Sequence, residues 1–483
     1  MEQAVNPPAI PGNPIPENPI PGNQIPGNPI PGNPDWERVF PWIEQHLGGR
    51  VVQRRRQGRQ SGGRPAWFVD VDVQGRLVRT YVRGTRDAAF EYTRTYTTER
   101  EAGVVRTLHE AGHPVPAVLG FCPDPPAILM DFVEGRDDFH EIRDAAQREA
   151  LTRHFMEILT RQHALDTRLF ARAGLVPPAT PEAFALDDLR VWERAYEKAT
   201  REPVPLITFT CDWLRRHAPR KLAEIVLVQG DTGPGNFLFD GPRITAITDW
   251  EMAHLGDPMD DLALLRSRDM YYPIGDMREC FRLYSELSGR PVDLDAVRYY
   301  TVKAMVIVPL SLAPVMENLD ARTEHAEWIA QYVYYERTTA EALAESMGIE
   351  LDPPRLPNPE PGPRAPLFEI LLENLRDEQL PGIDDAYRKF RMQMTLRLVQ
   401  HLKNADRLGA AFDAEEQDEL GRILGRRPAS LREGQRALDR LVREQGHRRE
   451  EELVRYFHRR ALRAQALMRG AMGMAENSVL QPV

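Results

Sequence analysis

The sequence predicts an α+β chain: a small antiparallel sheet backed by one helix, then a mostly helical lobe, then an all-helical C-terminal domain. Three observations carry this. Between residues 51 and 133, short strand-like segments surround a single helical one. From about 140 to 349 the periodicity is helical with one short exception. Finally, "PPRLPNPEPGPRAP" at 353–366 places seven prolines between that region and the helices that follow.

Residues 10–34 repeat a five-residue unit, "IPGNPIPENPIPGNQIPGNPIPGNP". Proline removes backbone donors and glycine loosens the chain, so 1–34 reads as a disordered tail or semi-rigid spacer. Asp35 is a plausible N-cap for a helix carrying Trp36, Val39, Phe40 and Ile43. Strands are expected at 51–57, 67–73 and 77–83. "TTEREAGVVRTLHEAGHPVP" then forms a helix that Gly112 and Pro114 must end. Two more strands, 117–121 and 127–133, complete a lobe spanning 35–135. Helices at about 140–165, 188–217 and 258–349 make a second lobe, 136–350. After a linker at 351–366, residues 367–483 form the helical domain. There, Ala386, Phe390, Met394, Leu398 and Leu402 fall on one helix face, as do Leu453, Phe457, Ala461, Ala464 and Met468. Such stripes pack on one another, and they are also the place where oligomerisation would occur.

A hydrophobic content of 42%, a charged content of 28% and a net charge of −10 over 483 residues describe a globular chain whose main partner is not nucleic acid. Three scattered cysteines suit a reducing compartment better than a disulfide framework. No run approaches the roughly 18 consecutive apolar residues of a membrane span, and the first residues do not read as a secretory signal. The cytoplasm is the expected location.

"HEAGH" at 109–113 matches a zinc-protease pattern, which requires both histidines on one continuous helix. Gly112 and Pro114 deny that continuity, so a metal site is not expected there. Neither a G-x-x-x-x-G-K-[ST] loop nor a G-x-S-x-G elbow occurs.

The informative stretch is 228–258, "VQGDTGPGNFLFDGPRITAITDWEMAHLGDP". Apolar runs at 225–228, 237–239 and 244–247 put Asp231, Asn236 and Asp249 at or just beyond strand ends. Asx residues are common in turns, and that reading is available for each alone. Phosphoryl transfer, however, needs a carboxylate to orient a hydroxyl and oxygen ligands for magnesium on nucleotide phosphates, and this trio supplies both.

"QGDTGPGNFLFD…ITDWEMAHLGDPMDDLA" resembles the core of the aminoglycoside phosphotransferase (choline kinase-like) family, small-molecule relatives of the protein kinases. The resemblance covers roughly 36–345 and implies a bilobed protein kinase-like fold. It also implies Asp231 as catalytic base, with Asn236 and Asp249 as Mg2+ ligands. Glu251, Asp257 and Asp261 match trailing acids that shape the cleft and a helix start. "TYVRG" at 80–84 resembles the strand that carries a phosphate-binding cation, here Arg83, to be paired by Glu101. "AILMDFVEG" at 127–135 resembles the hinge, whose backbone at Asp131 and Val133 would meet adenine. Three departures accompany the match. Gln229 stands where the motif has histidine, Arg83 stands where kinases have lysine, and the phosphate-covering loop near 57–65 lacks a regular glycine pattern. The implied activity is ATP-dependent transfer of the γ-phosphate to a small-molecule hydroxyl, on a metabolite such as a hydroxyacyl compound or on an antibiotic. The alternative is a pseudokinase acting as a binding or scaffold protein.

Overall fold

The computed structural model describes residues 35–57, 64–85, 95–220, 224–319 and 325–483. The tail 1–34 and most of the expected phosphate-covering loop lie outside them.

Helix α1 (Val39–Leu47) buries Val39, Phe40 and Ile43 against one face of a five-stranded antiparallel sheet. The sheet comprises β1 (Arg50–Arg56), β2 (Ala66–Val73), β3 (Arg76–Gly84), β4 (Val118–Pro123) and β5 (Pro126–Asp131), in the order β1-β2-β3-β5-β4. Period-two alternation sends Val69, Val71 and Val82 into that core, and sends Phe68, Tyr81 and Arg83 to the opposite face. Helix α2 (Thr98–Glu110) starts where the Thr97 hydroxyl accepts the Arg100 N–H. It ends at Glu110, with Ala111 as its cap before Gly112, which adopts φ +75°. The "HEAGH" segment is therefore broken as expected. His113 is buried beside the Trp250 ring at 5.7 Å, and burial pushes its pKa down to about 3.

The second lobe contains α3 (Ala145–His163), α4 (Pro181–Ala199), α5 (Pro205–His217), α6 (Pro258–Asp269), α7 (Met277–Ser288), α8 (Leu294–Met316) and α9 (His325–Met347). The expected helix over 188–217 is two helices, because Pro203 and Pro205 cannot supply the donors needed to continue α4. Between α5 and α6 lie two short pairs, β6 (Val226–Val228) with β9 (His254–Gly256) and β7 (Phe237–Asp240) with β8 (Arg243–Ile247). This is the bilobed arrangement expected from the sequence, and further helices follow it. By length and composition α8 could cross a membrane, but 78% of its apolar window is buried inside the protein.

The C-terminal helices are α10 (Ala365–Glu373), α11 (Ala386–Leu424), α12 (Leu431–Gln445) and α13 (Glu450–Leu467). The α13 stripe packs as its spacing implied, with Leu453, Phe457, Ala461 and Met468 all buried. Leu420, Leu438 and Phe457 join one continuous apolar cluster with Leu262, Tyr300 and Tyr334 of the second lobe. The α11 stripe is divided, since Met394 is buried whereas Leu402 is half-exposed. Gln481 then straps α6: its carbonyl accepts from Arg266 Nε at 2.8 Å, and its amide donates to Asp269 at 2.6 Å.

Candidate active site

The loop after β6 is built by buried hydrogen bonds. Val226–Val228 are fully buried and fix where the loop starts. Gly230 follows with φ +95°, and a Cβ there would lie 2.6 Å from the Met252 carbonyl oxygen. The turn brings Asp231 back to Asn236, whose Nδ2 donates to the Asp231 carbonyl at 2.8 Å and to Oδ2 at 2.7 Å. Asn236 Oδ1 is thereby left for another partner. The Thr248 N–H donates to the Asn236 carbonyl at 2.9 Å, coupling the loop to the end of β8.

Asp249 has φ +61°, a left-handed conformation that costs a non-glycine residue about 1 kcal/mol. Gln229 helps hold it, donating from Nε2 to the Thr248 carbonyl at 2.7 Å. The residue in the histidine's place thus keeps a structural hydrogen bond. From β3, Arg83 Nη2 donates to both Asp249 carboxylate oxygens at 3.0 Å, and Nη1 reaches Glu101 at 3.3 Å. Burial alone would lower the Arg83 pKa, but Asp249 and Glu101 raise it well above its ordinary value. Burial also lifts the Asp249 carboxyl, with Arg83 opposing.

Arg64 is a second, fully recessed cation. Its Nη1 lies 2.6 Å from Glu101 and 2.8 Å from Glu251, and its Nε donates to the Gly84 carbonyl at 2.9 Å. Its Nη2 is buried with no hydrogen-bond partner among the described residues. Beneath the sheet, the Phe68 ring lies 5.3 Å from Tyr81 and 5.8 Å from Phe132, forming an aromatic face next to the hinge. There the Asp131 N–H donates to Ala117 at 3.0 Å and the Phe132 N–H to Arg79 at 3.2 Å. Among the described residues the Val133 N–H has no acceptor, so it is the donor the hinge can offer a ligand.

Helix α6 supplies the support. Asp257 caps it, accepting the Met259 N–H at 2.9 Å, and burial pushes its carboxyl up to about 6. Asp261, fully buried, accepts from the Gln229 N–H at 3.1 Å, Gln162 Nε2 at 3.0 Å, His163 Nε2 at 2.9 Å and the Thr232 hydroxyl. Arg268, two turns on, spans the loop: Nε donates to the Pro234 carbonyl at 2.9 Å and Nη1 to Asp231 Oδ2 at 2.6 Å.

The expected residues form two neighbouring hydrogen-bonded groups, Arg83–Glu101–Asp249 and Asp231–Asn236, joined through the backbone where the Thr248 N–H donates to the Asn236 carbonyl. Asp131 and Val133 lie at the hinge, where the Asp131 side chain turns away to accept the Ala117 N–H. Sequence reasoning missed Arg64, Arg268 and the Phe68–Tyr81–Phe132 face. Arg268 had one signal, a charge inside the otherwise core-facing "DLALLRSRD", where a partner is required. Among the described residues no group of three or more His, Cys, Asp or Glu is poised to hold a metal. A site made of one Asp, one Asn and substrate phosphates does not need one, and hard oxygen donors suit Mg2+.

Residues 61–300, which contain this constellation, match the model of the phosphotransferase enzyme family (APH). That segment belongs to the family. The chain is 27% identical over 240 residues to acyl-CoA dehydrogenase family member 11 of Rattus norvegicus, covering 46% of this chain and 30% of the relative. Viomycin phosphotransferase of Streptomyces vinaceus is 29% identical over 157 residues, covering 29% of this chain and 50% of its own. The chain therefore spans half or less of the length of these relatives. Among solved structures it is similar to the aminoglycoside phosphotransferase APH(4)-Ia in a ternary complex with ADP and hygromycin B (TM-score 0.44, 18% identity, 63% of this chain and 97% of that one). It is also similar to macrolide 2'-phosphotransferase MphH of Brachybacterium faecium (TM-score 0.41, 18% identity, 59% and 93%).

Proposed function

We propose that the protein is an ATP-dependent phosphotransferase that moves the γ-phosphate to a hydroxyl of a small molecule. The observation that carries this reading is the Asp249–Arg83–Glu101 bridge between the two lobes beside the Asp231–Asn236 pair. Asp231 would align the acceptor hydroxyl in line with the γ-phosphorus and take its proton as the new O–P bond forms. The bond to the β–γ bridging oxygen breaks, and ADP leaves. Asn236 Oδ1 and Asp249 would hold Mg2+, whose role is to neutralise charge on the phosphates. Arg83, and Arg64 through its unpartnered Nη2, would meet the phosphate oxygens. Val133 N–H and the Phe68–Tyr81–Phe132 face would receive adenine. Without nucleotide, Arg83 and Asp249 neutralise each other, so loading exchanges that pair for phosphate and metal contacts.

Arg268 bears on the acceptor. Its guanidinium lies against Asp231 and over the Tyr272 ring, setting a positive charge beside the hydroxyl position. A polycationic antibiotic would be repelled there. A neutral or anionic alcohol, such as a hydroxyacyl compound, fits better. The test is Mg2+-dependent ADP release across a panel of hydroxyl-bearing metabolites and antibiotics. Turnover should appear with the former, and Asp231→Asn should lower kcat by about 100-fold or more. Nucleotide binding without turnover on any alcohol would favour the scaffold alternative, and preferential turnover of aminoglycosides would overturn the acceptor assignment.

A further inference from the structure

Helix α6 carries two adjacent acids. Asp261 grips the loop that holds Asp231, and Asp260 grips the segment that leads away from Asp249. The second grip runs through His254, the first residue of β9, a ring that the proposed chemistry does not use. Its Nε2 lies 3.1 Å from Asp260 Oδ2, and its Nδ1 lies 3.0 Å from the Met252 carbonyl oxygen. A carbonyl can only accept a hydrogen bond, and so can an ionised carboxylate. Burial alone would raise the Asp260 pKa, but Lys303 and His254 bring it below its ordinary value, so this carboxyl is ionised. A neutral imidazole has one N–H and would set a bare ring nitrogen against one of these two oxygens. Asp260 is fully buried and the His254 side chain is 14% exposed, so little water is at hand to relieve that mismatch. Only the imidazolium satisfies both oxygens.

The Met252 carbonyl is the contact that reaches the site. A Cβ at Gly230 would lie 2.6 Å from its oxygen, so the Met252 backbone packs directly on the glycine that precedes Asp231. The same segment is held from the other lobe, where Arg100 of α2 donates to the Ala253 carbonyl. We propose that His254 is a positioning residue that works as the imidazolium, holding the Met252 carbonyl against Gly230 and so setting the direction of Asp231; the proposal rests on the phosphotransferase reading. Several charged groups face the ring or its partner. Lys303 of α8 donates to the same Asp260 oxygen, and Asp188 of α4 lies 3.8 Å from Lys303. The Tyr96 hydroxyl donates to Asp188, and Asp257 adds a carboxyl near Lys303. Burial alone would lower the His254 pKa, but Asp260 and Asp188 outweigh both burial and Lys303 and leave it above the ordinary 6.5. The two ring hydrogen bonds are therefore present together below that pKa, and one is lost as pH rises through it.

The test reads the ring and the loop separately, by NMR on the full chain with labelled histidine rings and backbone amides. The His254 ring should titrate with a midpoint above 6.5, and the Gly230 and Asp231 amide signals should move with the same midpoint. The loop movement should vanish in His254→Gln, which keeps a donor at the Nε2 position, and in His254→Asn, which keeps one at Nδ1. In Mg2+-dependent ADP release, wild-type kcat should fall as pH rises through the ring's midpoint. Below that midpoint both variants should be roughly 10- to 100-fold slower than wild type, with acceptor KM little changed and no dependence on pH across the range. A ring that titrates at or below 6.5, loop amides that ignore the ring, or an alkaline fall that persists in both variants overturns the proposal. The wild-type titrations need no variant and stand if either one fails to fold. A wild type that releases no ADP with any alcohol overturns the phosphotransferase reading instead, and the ring and amide titrations then decide the coupling on their own.

Discussion

Asp261→Asn isolates the support beneath the catalytic loop. The fully buried carboxylate accepts from four donors: the Gln229 N–H, the Thr232 hydroxyl, Gln162 Nε2 and His163 Nε2. Asparagine keeps the shape but offers a single acceptor oxygen. Whichever way its amide turns, an NH2 group faces either Gln162 Nε2 or the Gln229 N–H, donor against donor, whereas the Thr232 hydroxyl and the His163 ring can turn to accept. One hydrogen bond to a charged acceptor is lost outright, at about 1.5–3 kcal/mol, and the three that remain lose the charge, at about 0.5–1 kcal/mol each. The sum, about 3–6 kcal/mol, is a large part of the 5–15 kcal/mol typical of a folded domain. At about 2–4 °C per kcal/mol for a domain of this size, the melting temperature should fall by roughly 6–24 °C. Thermal denaturation by circular dichroism reads the stability and ADP release reads the loop. Thr232→Ala, which removes one donor and leaves the carboxylate with three, should cost only about 1–2 kcal/mol. If Asp261→Asn melts within about 2 °C of wild type and turns over normally, the carboxylate does not organise the loop and the reasoning fails.

Two further outcomes follow from the same geometry. Asp257 has a folded pKa of about 6 against an ordinary 3.8, so the folded protein holds the proton that the unfolded chain releases first. Its contribution is therefore fully present below about pH 4 and is lost as pH rises through 6, amounting to about 3 kcal/mol. Asp257→Asn, which still caps α6, should flatten the dependence of the urea midpoint on pH across that window relative to wild type; parallel curves would refute the assignment. Gly230→Ala puts a Cβ 2.6 Å from the Met252 carbonyl oxygen at φ +95°, so it should destabilise by more than about 1 kcal/mol and abolish turnover. Gly241→Ala, at an open hairpin turn with nothing within 4 Å, should leave turnover intact, and equal activity in the two variants would contradict the loop geometry.

The sequence by itself determined the order of elements and the chemistry-bearing trio. Period-two and period-3.6 patterning, with Gly and Pro as punctuation, are local properties, so β2, α2 and the α13 stripe could be read without a fold. Asp231, Asn236 and Asp249 were legible for a similar reason: a carboxylate or amide at a strand end is visible within a few residues. Tertiary structure alone decided which cation meets which acid. Arg64 reaches Glu101 and Glu251 across 37 and 187 residues, and Arg268 reaches Asp231 across 37. Pairings at such separations are set by how α6 and the sheet pack, because the local pattern specifies that a buried charge needs a partner but not which one. The same limit explains α10. Its apolar residues are visible in the sequence, and only the packed chain shows that none of the described residues buries them.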